Sequence, residues 1–238
     1  MISETYFSSN YTSVWRALTP SMEDFVRRWN MDGYEREWPP MASLSDPDRR
    51  GLVNEAGFVL FSKLIEYKQK VARAKASDIV KYAFNEAANY VYGINDAENH
   101  SAFNLVEKRE AIVIAGRLHN LFRPLKADKK VLVGPKFRGS GLISNCVGDV
   151  LVEQEALYEI KSGDRKTRSV DYRQLAIYAA LIFAETGGVV KNISVVNPRT
   201  GVIVSVPTED FSKEVSGQSA VSLFHSLVEA FSANLISL

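Results

Sequence analysis

Apolar positions recur at helical spacing through the first half of the chain and gather in short β-like runs through the second. Residues 1–45 are polar with scattered aromatics, Trp15, Trp29, Tyr34 and Trp38. Thr19-Pro20 offers a cap followed by proline at the first helical position, predicting a short helix through Phe25 and Trp29 that stops before Pro39-Pro40. Asp46-Pro47 repeats that start. Val53, Gly57, Leu60, Phe61, Leu64, Tyr67 and Val71 then follow at the spacing of a long amphipathic helix. A second helix is expected from a Ser77 cap through Ile79, Val80, Ala83, Phe84, Ala87 and Val91 to Gly93. A third spans residues 101–122, with Phe103, Val106, Ile114, Leu118 and Leu121 on one face.

The period changes after Pro124. Residues 130–133, 146–152 and 156–161 read as three short strands, with Gly134-Pro135 and Gly139-Ser140-Gly141 between the first two. A helix over 170–184 carries Val170, Leu175, Ile177, Tyr178, Leu181 and Ile182 and ends at Gly187-Gly188. Ile193–Val196 and Val202–Val206 flank the turn Asn197-Pro198-Arg199-Thr200-Gly201 in a hairpin pattern, and a last helix covers 219–236. Its Leu223, Phe224, Leu227, Val228 and Phe231 suit core packing better than self-association. This order predicts an α/β fold with a mixed sheet and helices packed on it. It divides into an N-terminal helical region, residues 1–98, and a second domain, residues 99–238.

Composition adds little: 46% apolar, 24% charged and 11% aromatic residues are ordinary for a globular chain. The net charge of +1 gives no whole-molecule argument for a polyanionic partner, but the distribution is uneven. Arg123, Lys126, Lys129, Lys130, Lys136 and Arg138 come with only Asp128 among them, and Arg165, Lys166, Arg168 and Arg173 form a second group. A cluster of this kind alone reads as solvated loops and strand edges. The aromatic N-terminal segment could stack bases, but isolated aromatics more often dock an arm onto a domain. The single cysteine, Cys146, excludes an internal disulfide and suits a buried, reduced side chain. No export signal precedes an apolar run, and no run approaches the roughly 20 residues of a membrane span, so a soluble, cytoplasmic protein is expected.

The chemistry concentrates between the two basic groups. In a strand of period two, Glu159 and Lys161 project to one side and Tyr158 and Ile160 to the other. If the strand carrying Asp149 pairs with this one, two carboxylates and an ammonium converge. Such a set suits phosphodiester hydrolysis, with acidic oxygens to hold a divalent ion and a cation to position or activate water. Gln174 and Tyr178 follow on one face of a helix. Flanking cations then become candidate phosphate contacts, namely Lys130, Lys136, Arg138, Arg165, Lys166, Arg168 and Arg173. Taken singly, each residue has a plainer reading: Asp149 as a turn residue after Gly148, Glu159 and Lys161 as an exposed pair, Gln174 as helix surface.

Gly148-Asp149 followed by Glu159-Ile160-Lys161 resembles the PD-(D/E)XK nuclease superfamily, and Gln174-x-x-x-Tyr178 is similar to the extra motif of its RecB-like and lambda-exonuclease-like branches. The resemblance covers about residues 100–206 and leaves the N-terminal hundred unmatched. It implies a restriction-endonuclease-like α-β-β-β-α-β core and a Mg²⁺- or Mn²⁺-dependent deoxyribonuclease directed at DNA ends or single strands. The alternatives are a structure- or sequence-selective endonuclease of that fold and an inactive nucleic-acid-binding or assembly module. Asp149, Glu159 and the Ile160 carbonyl would be metal ligands. Lys161, with a lowered pKa, would orient or deprotonate water, while Gln174 and Tyr178 would steady the lysine, the water or a phosphate. The family's additional helix acid would be Glu110 as both catalytic residue and ligand, with Glu107 and Glu55 as alternatives; Asn54 and Glu55 occupy a neighbourhood where RecB-like relatives often carry histidine. For all three acids a structural salt bridge is the competing reading. His100, His119 and His225 form no ligand pattern, and no phosphate-binding loop of an ATPase is present, so ATP-driven unwinding would need a partner in trans.

Overall fold

The computed structural model describes residues 1–69, 76–92, 103–123, 125 and 129–232. The expectations placed on Val71, Gly93, His100, Ser101, Pro124, Lys126 and Asp128 lie outside the described residues. The chain folds as two compact units: Met1–Glu37, Leu132–Asn197 and Gly201–Leu238 form a sheet unit, and Trp38–Val131 with Pro198–Thr200 form a helical unit. Residues 1–37 fall in the sheet unit.

In the sheet unit, α1 (Glu4–Asn10), α2 (Thr12–Leu18) and α3 (Met22–Trp29) come first. The first two occupy a stretch whose sequence lacks a clear apolar period. The Ser3 hydroxyl accepts from the Tyr6 N–H to cap α1. Helix α3 starts two residues after Pro20, because the Thr19 hydroxyl is turned back to donate to the Trp15 carbonyl rather than cap the helix ahead. Trp15 is fully buried and its indole N–H donates to the Phe7 carbonyl, so this tryptophan anchors the arm.

The sheet is mixed and six-stranded, in the order β1 (Glu35–Arg36), β8 (Val202–Pro207), β7 (Asn192–Asn197), β6 (Ala156–Ile160), β5 (Val150–Val152) and β2 (Val131–Val133). Strands β6 and β7 are parallel and joined by α7 (Ser169–Thr186), while β5–β6 and β7–β8 are antiparallel. The expected strand over 146–152 is two strands. β4 (Cys146–Val147) pairs with β3 (Lys136–Phe137) in a separate ribbon, and the chain crosses to the main sheet through Gly148-Asp149. Only glycine fits at that crossing, since a Cβ on Gly148 would stand 2.7 Å from the Phe137 ring. Cys146 is buried there, as its small apolar character suggests.

Helix α7 ends at Gly187, whose φ of +72° is open to glycine without strain. It lies in a core with Leu157, Ile193, Val195, Val204, Phe211 and Leu223. The core takes in α8 (Thr208–Ser216), which the sequence pattern did not separate from its neighbours, and α9 (Ala220–Ser232), whose Leu223, Phe224, Leu227 and Phe231 are fully buried.

The helical unit contains α4 (Arg50–Gln69), α5 (Ala76–Tyr92) and α6 (Leu105–Phe122). Asp46 caps the turn leading into α4 through the Asp48 N–H, as Asp46-Pro47 predicts. Gly57 lets α4 approach α6, because a Cβ there would meet Ile114 at 2.7 Å. Ile114 and Leu118 are buried on the expected face of α6, whereas Val106 is exposed because the helix begins at Leu105 after an Asn104 cap. Among the described residues, no helix is long and apolar enough to cross a membrane.

Candidate active site

The sheet unit brings Asp149, Glu159, Lys161, Gln174 and Tyr178 into one connected cluster. The register Val150↔Tyr158, Leu151↔Leu157, continued by one step beyond β5, sets Asp149 opposite Glu159. Asp149 Oδ2 accepts from the Ile160 N–H at 2.6 Å, and the Asp149 carbonyl accepts from the Gly134 N–H at 2.9 Å, so side chain and backbone are both fixed where the chain enters the sheet. Glu159 and Leu157 alternate on the buried face of β6, and Glu159 is only 3% exposed. The lysine just beyond the strand shares that side, and its Nζ donates to Glu159 Oε1 at 2.6 Å and to Gln174 Oε1 at 3.0 Å. One helical turn further along α7, Gln174 Nε2 donates to the Tyr178 hydroxyl at 2.8 Å.

The second oxygen of Glu159, Oε2, is buried and has no hydrogen-bond partner. An orphaned carboxylate oxygen in a low-dielectric site is costly, and the native groups that carry one are candidates for an absent ligand. Burial pushes the Glu159 carboxyl well above its usual range, Asp149 adds repulsion, and Lys161 opposes both only in part. Asp149 is pushed upward by burial too, against the Ile160 N–H and Lys161. Two acids with raised pKa values and a lone unfilled oxygen form a site in which a cation would lower the free energy of the ionised pair. Burial pulls the Lys161 ammonium down, but the Glu159, Asp171 and Asp149 carboxylates outweigh that and leave its pKa raised.

Glu110 and Glu107 belong to the helical unit and are buried at 5% and 1% exposure. Glu110 Oε1 accepts from the Leu44 and Ser45 N–H groups, and Oε2 from the Ser45 hydroxyl at 2.7 Å and Arg199 Nη2 at 2.9 Å. Burial would raise its pKa, yet these donors hold it below the ordinary value. Glu107 is the reciprocal partner of the Asn104 cap and pairs with Arg49. Both acids are thus engaged in buried ion pairs. Arg199, from the turn after β7, is 1% exposed and also donates to Asn54 at 2.7 Å; no local pattern in the sequence singles it out.

The proposed phosphate contacts divide. Arg165 grips Asp171 with two bonds of 2.7 and 2.8 Å, and Arg173 lies over Trp15 with contacts to Glu23 and the Ser8 carbonyl. Both guanidinium groups are engaged by side chains of the sheet unit. Lys130, Lys136, Arg138, Lys166 and Arg168 are exposed; Lys136 and Arg138 line an open cleft beside the β3–β4 ribbon with Asn145, Val147 and Glu185.

Asp149, Glu159 and the backbone beside them fit a hard, partly hydrated divalent ion, which needs few protein ligands. Among the described residues, no group of three or more His, Cys, Asp or Glu side chains gathers as a protein-only cage. No family model matches the chain, and no curated protein matches it.

Proposed function

We propose that the protein is a Mg²⁺- or Mn²⁺-dependent deoxyribonuclease of the PD-(D/E)XK type. The observation that carries this reading is the buried, unpartnered Glu159 Oε2 beside Asp149, with the Lys161 ammonium held at the same place. In chain order the elements are α6, β2, β3, β4, β5, β6, α7 and β7; with β3 and β4 set apart as a ribbon, the rest, with β6 and β7 parallel, is compatible with an α-β-β-β-α-β core.

In this proposal Asp149 and Glu159 hold the ion through oxygen, with the Ile160 carbonyl as a further candidate ligand. The bound ion supplies Lewis acidity to a phosphate oxygen and lowers the pKa of water. Lys161 orients the attacking water or the phosphate through N–H donation. Gln174 fixes the ammonium by accepting from it, and Tyr178 fixes Gln174. Lys136 and Arg138 would hold the DNA backbone as exposed point contacts. The motif formed by Gln174 and Tyr178 favours DNA ends or single strands, and any unwinding motor would act in trans.

Incubation of linear and circular DNA with the protein, with and without Mg²⁺ or Mn²⁺, tests the reading. Metal-dependent loss of linear DNA is expected. Nicking of circles identifies an endonuclease instead, and a mobility shift with no cleavage under any metal identifies a binding module and removes the enzymatic proposal.

A further inference from the structure

Beyond the five residues of the cluster, its hydrogen bonds continue into the N-terminal arm. Lys161 has only protons to give, so Gln174 must present its amide oxygen to the ammonium and its NH₂ to Tyr178. The Tyr178 oxygen thereby accepts, and its single proton is left for an acceptor on the far side. Two are in reach: Glu4 Oε1 at 3.5 Å and the Val147 carbonyl at 3.4 Å. The carboxylate carries charge and is the stronger acceptor of the pair. Every donor in the series then points the same way, from Lys161 through Gln174 and Tyr178 to Glu4.

Glu4 is not a loose surface acid. The Ile2 N–H donates to the Leu142 carbonyl at 2.8 Å, and the Ile2 carbonyl accepts from the Ser144 N–H at 2.9 Å and the Ser144 hydroxyl at 3.0 Å. This parallel bridge to Ile143 fixes the chain two residues before Glu4. Glu4 then opens α1 behind the Ser3 cap, where the helix dipole favours a carboxylate, and Thr5 Oγ1 donates to the same oxygen at 3.1 Å. Tyr178 is 2% exposed and stacks on Phe137 at 5.1 Å, so its hydroxyl has little freedom to turn elsewhere.

We propose that Glu4 is a positioning residue that terminates this relay, setting the direction of the Tyr178 and Gln174 hydrogen bonds and so the placement of the Lys161 ammonium. The proposal rests on the nuclease reading for its kinetic consequence, but the geometry can be tested without it. The side-chain amide resonances of Gln174 are to be recorded by NMR in wild type, Glu4→Ala, Glu4→Gln and Tyr178→Phe, alongside steady-state kinetics on linear DNA with Mg²⁺. Thermal melts identify variants that keep the fold.

The expected result is that Glu4→Ala moves the Gln174 amide resonances as Tyr178→Phe does. It lowers kcat about tenfold with KM unchanged, in the range of outer positioning contacts. Glu4→Gln, which retains an acceptor oxygen, restores both. Combining Glu4→Ala with Tyr178→Phe costs no more than Tyr178→Phe alone. Gln174 resonances in folded Glu4→Ala that coincide with wild type would overturn the proposal, because the Val147 carbonyl would then suffice. A defect confined to KM or to melting would overturn it as well. If wild type cleaves no DNA while the resonances respond as expected, the nuclease reading fails and the relay stands.

Discussion

Glu159 in the sheet unit and Glu110 in the helical unit are both withdrawn from solvent, at 3% and 5% exposure, and each faces one cation. Their surroundings differ in one respect. Both oxygens of Glu110 accept hydrogen bonds, four in all, and its pKa is held down. Glu159 has one oxygen bonded to Lys161 and one with no partner, and its pKa is pushed up by burial and by Asp149. A fully satisfied buried carboxylate ties backbone segments together, whereas in the proposed metal site a half-satisfied one beside a second acid would have an oxygen left for the ion. Burial alone does not distinguish the two acids; the number of filled lone pairs does.

The largest effect that sharpens this contrast is on catalysis. Asp149→Ala or Glu159→Ala is expected to lower Mg²⁺-dependent DNA hydrolysis on the order of 10³-fold or more, because the electrostatic stabilisation of the developing charge is lost. Initial rates on linear DNA with proteins of matched melting temperature give the answer, and a Glu159→Ala protein cleaving at the wild-type rate would break the comparison.

Next comes stability. Removing one partner of the Glu110–Arg199 pair leaves the other charge buried and uncompensated, so Arg199→Ala or Glu110→Ala should destabilise the fold by about 3–5 kcal/mol in urea denaturation. Glu159→Gln should cost far less, because the neutral amide relieves repulsion from Asp149.

The pH dependence carries opposite signs for the two acids. Glu110, with a lowered folded pKa, contributes stability that is present above the ordinary carboxylate range and lost as pH falls through the folded value. Glu159 and Asp149, with raised folded pKa values, bind protons more tightly folded than unfolded. They therefore favour the fold at low pH and cost stability as pH rises from the carboxylate range towards neutrality. Urea titrations across this interval should show Glu159→Gln with a shallower neutral-side decline and Glu110→Gln with a shallower acid-side decline.

The smallest expected effect is on DNA affinity. Lys136→Ala and Arg138→Ala should each reduce the salt dependence of binding by about one unit of log–log slope and leave kcat unchanged, which fluorescence anisotropy over a salt series measures.

Much of the contrast was written into local pattern. Period two in the strand puts Glu159 and Lys161 on one side, and the i, i+4 spacing of Gln174 and Tyr178 places them on one helix face; the structure joins these pairs through Lys161 and Gln174. The mixed sheet and α7 followed from the same periodicities. What escaped is non-local or too short to show a period. Strands β3 and β4 have two residues each, and their separation from β5 depends on the Phe137 ring against Gly148. The pairing of Glu110 with Arg199, 89 positions apart, leaves no trace in either neighbourhood. Arg165 and Arg173 look like solvent-facing cations until Asp171 and Trp15 are seen to take them. Glu4 stands 174 positions from the tyrosine that it faces.

In the proposed site Asp149 and the unpartnered Oε2 of Glu159 hold a divalent ion. A crystal of the protein soaked in Mn²⁺ and measured for anomalous scattering tests it directly. A peak within coordination distance of Asp149 and Glu159 Oε2 is expected; a saturating soak that leaves these carboxylates bare, or that places the ion only elsewhere, rules the metal site out.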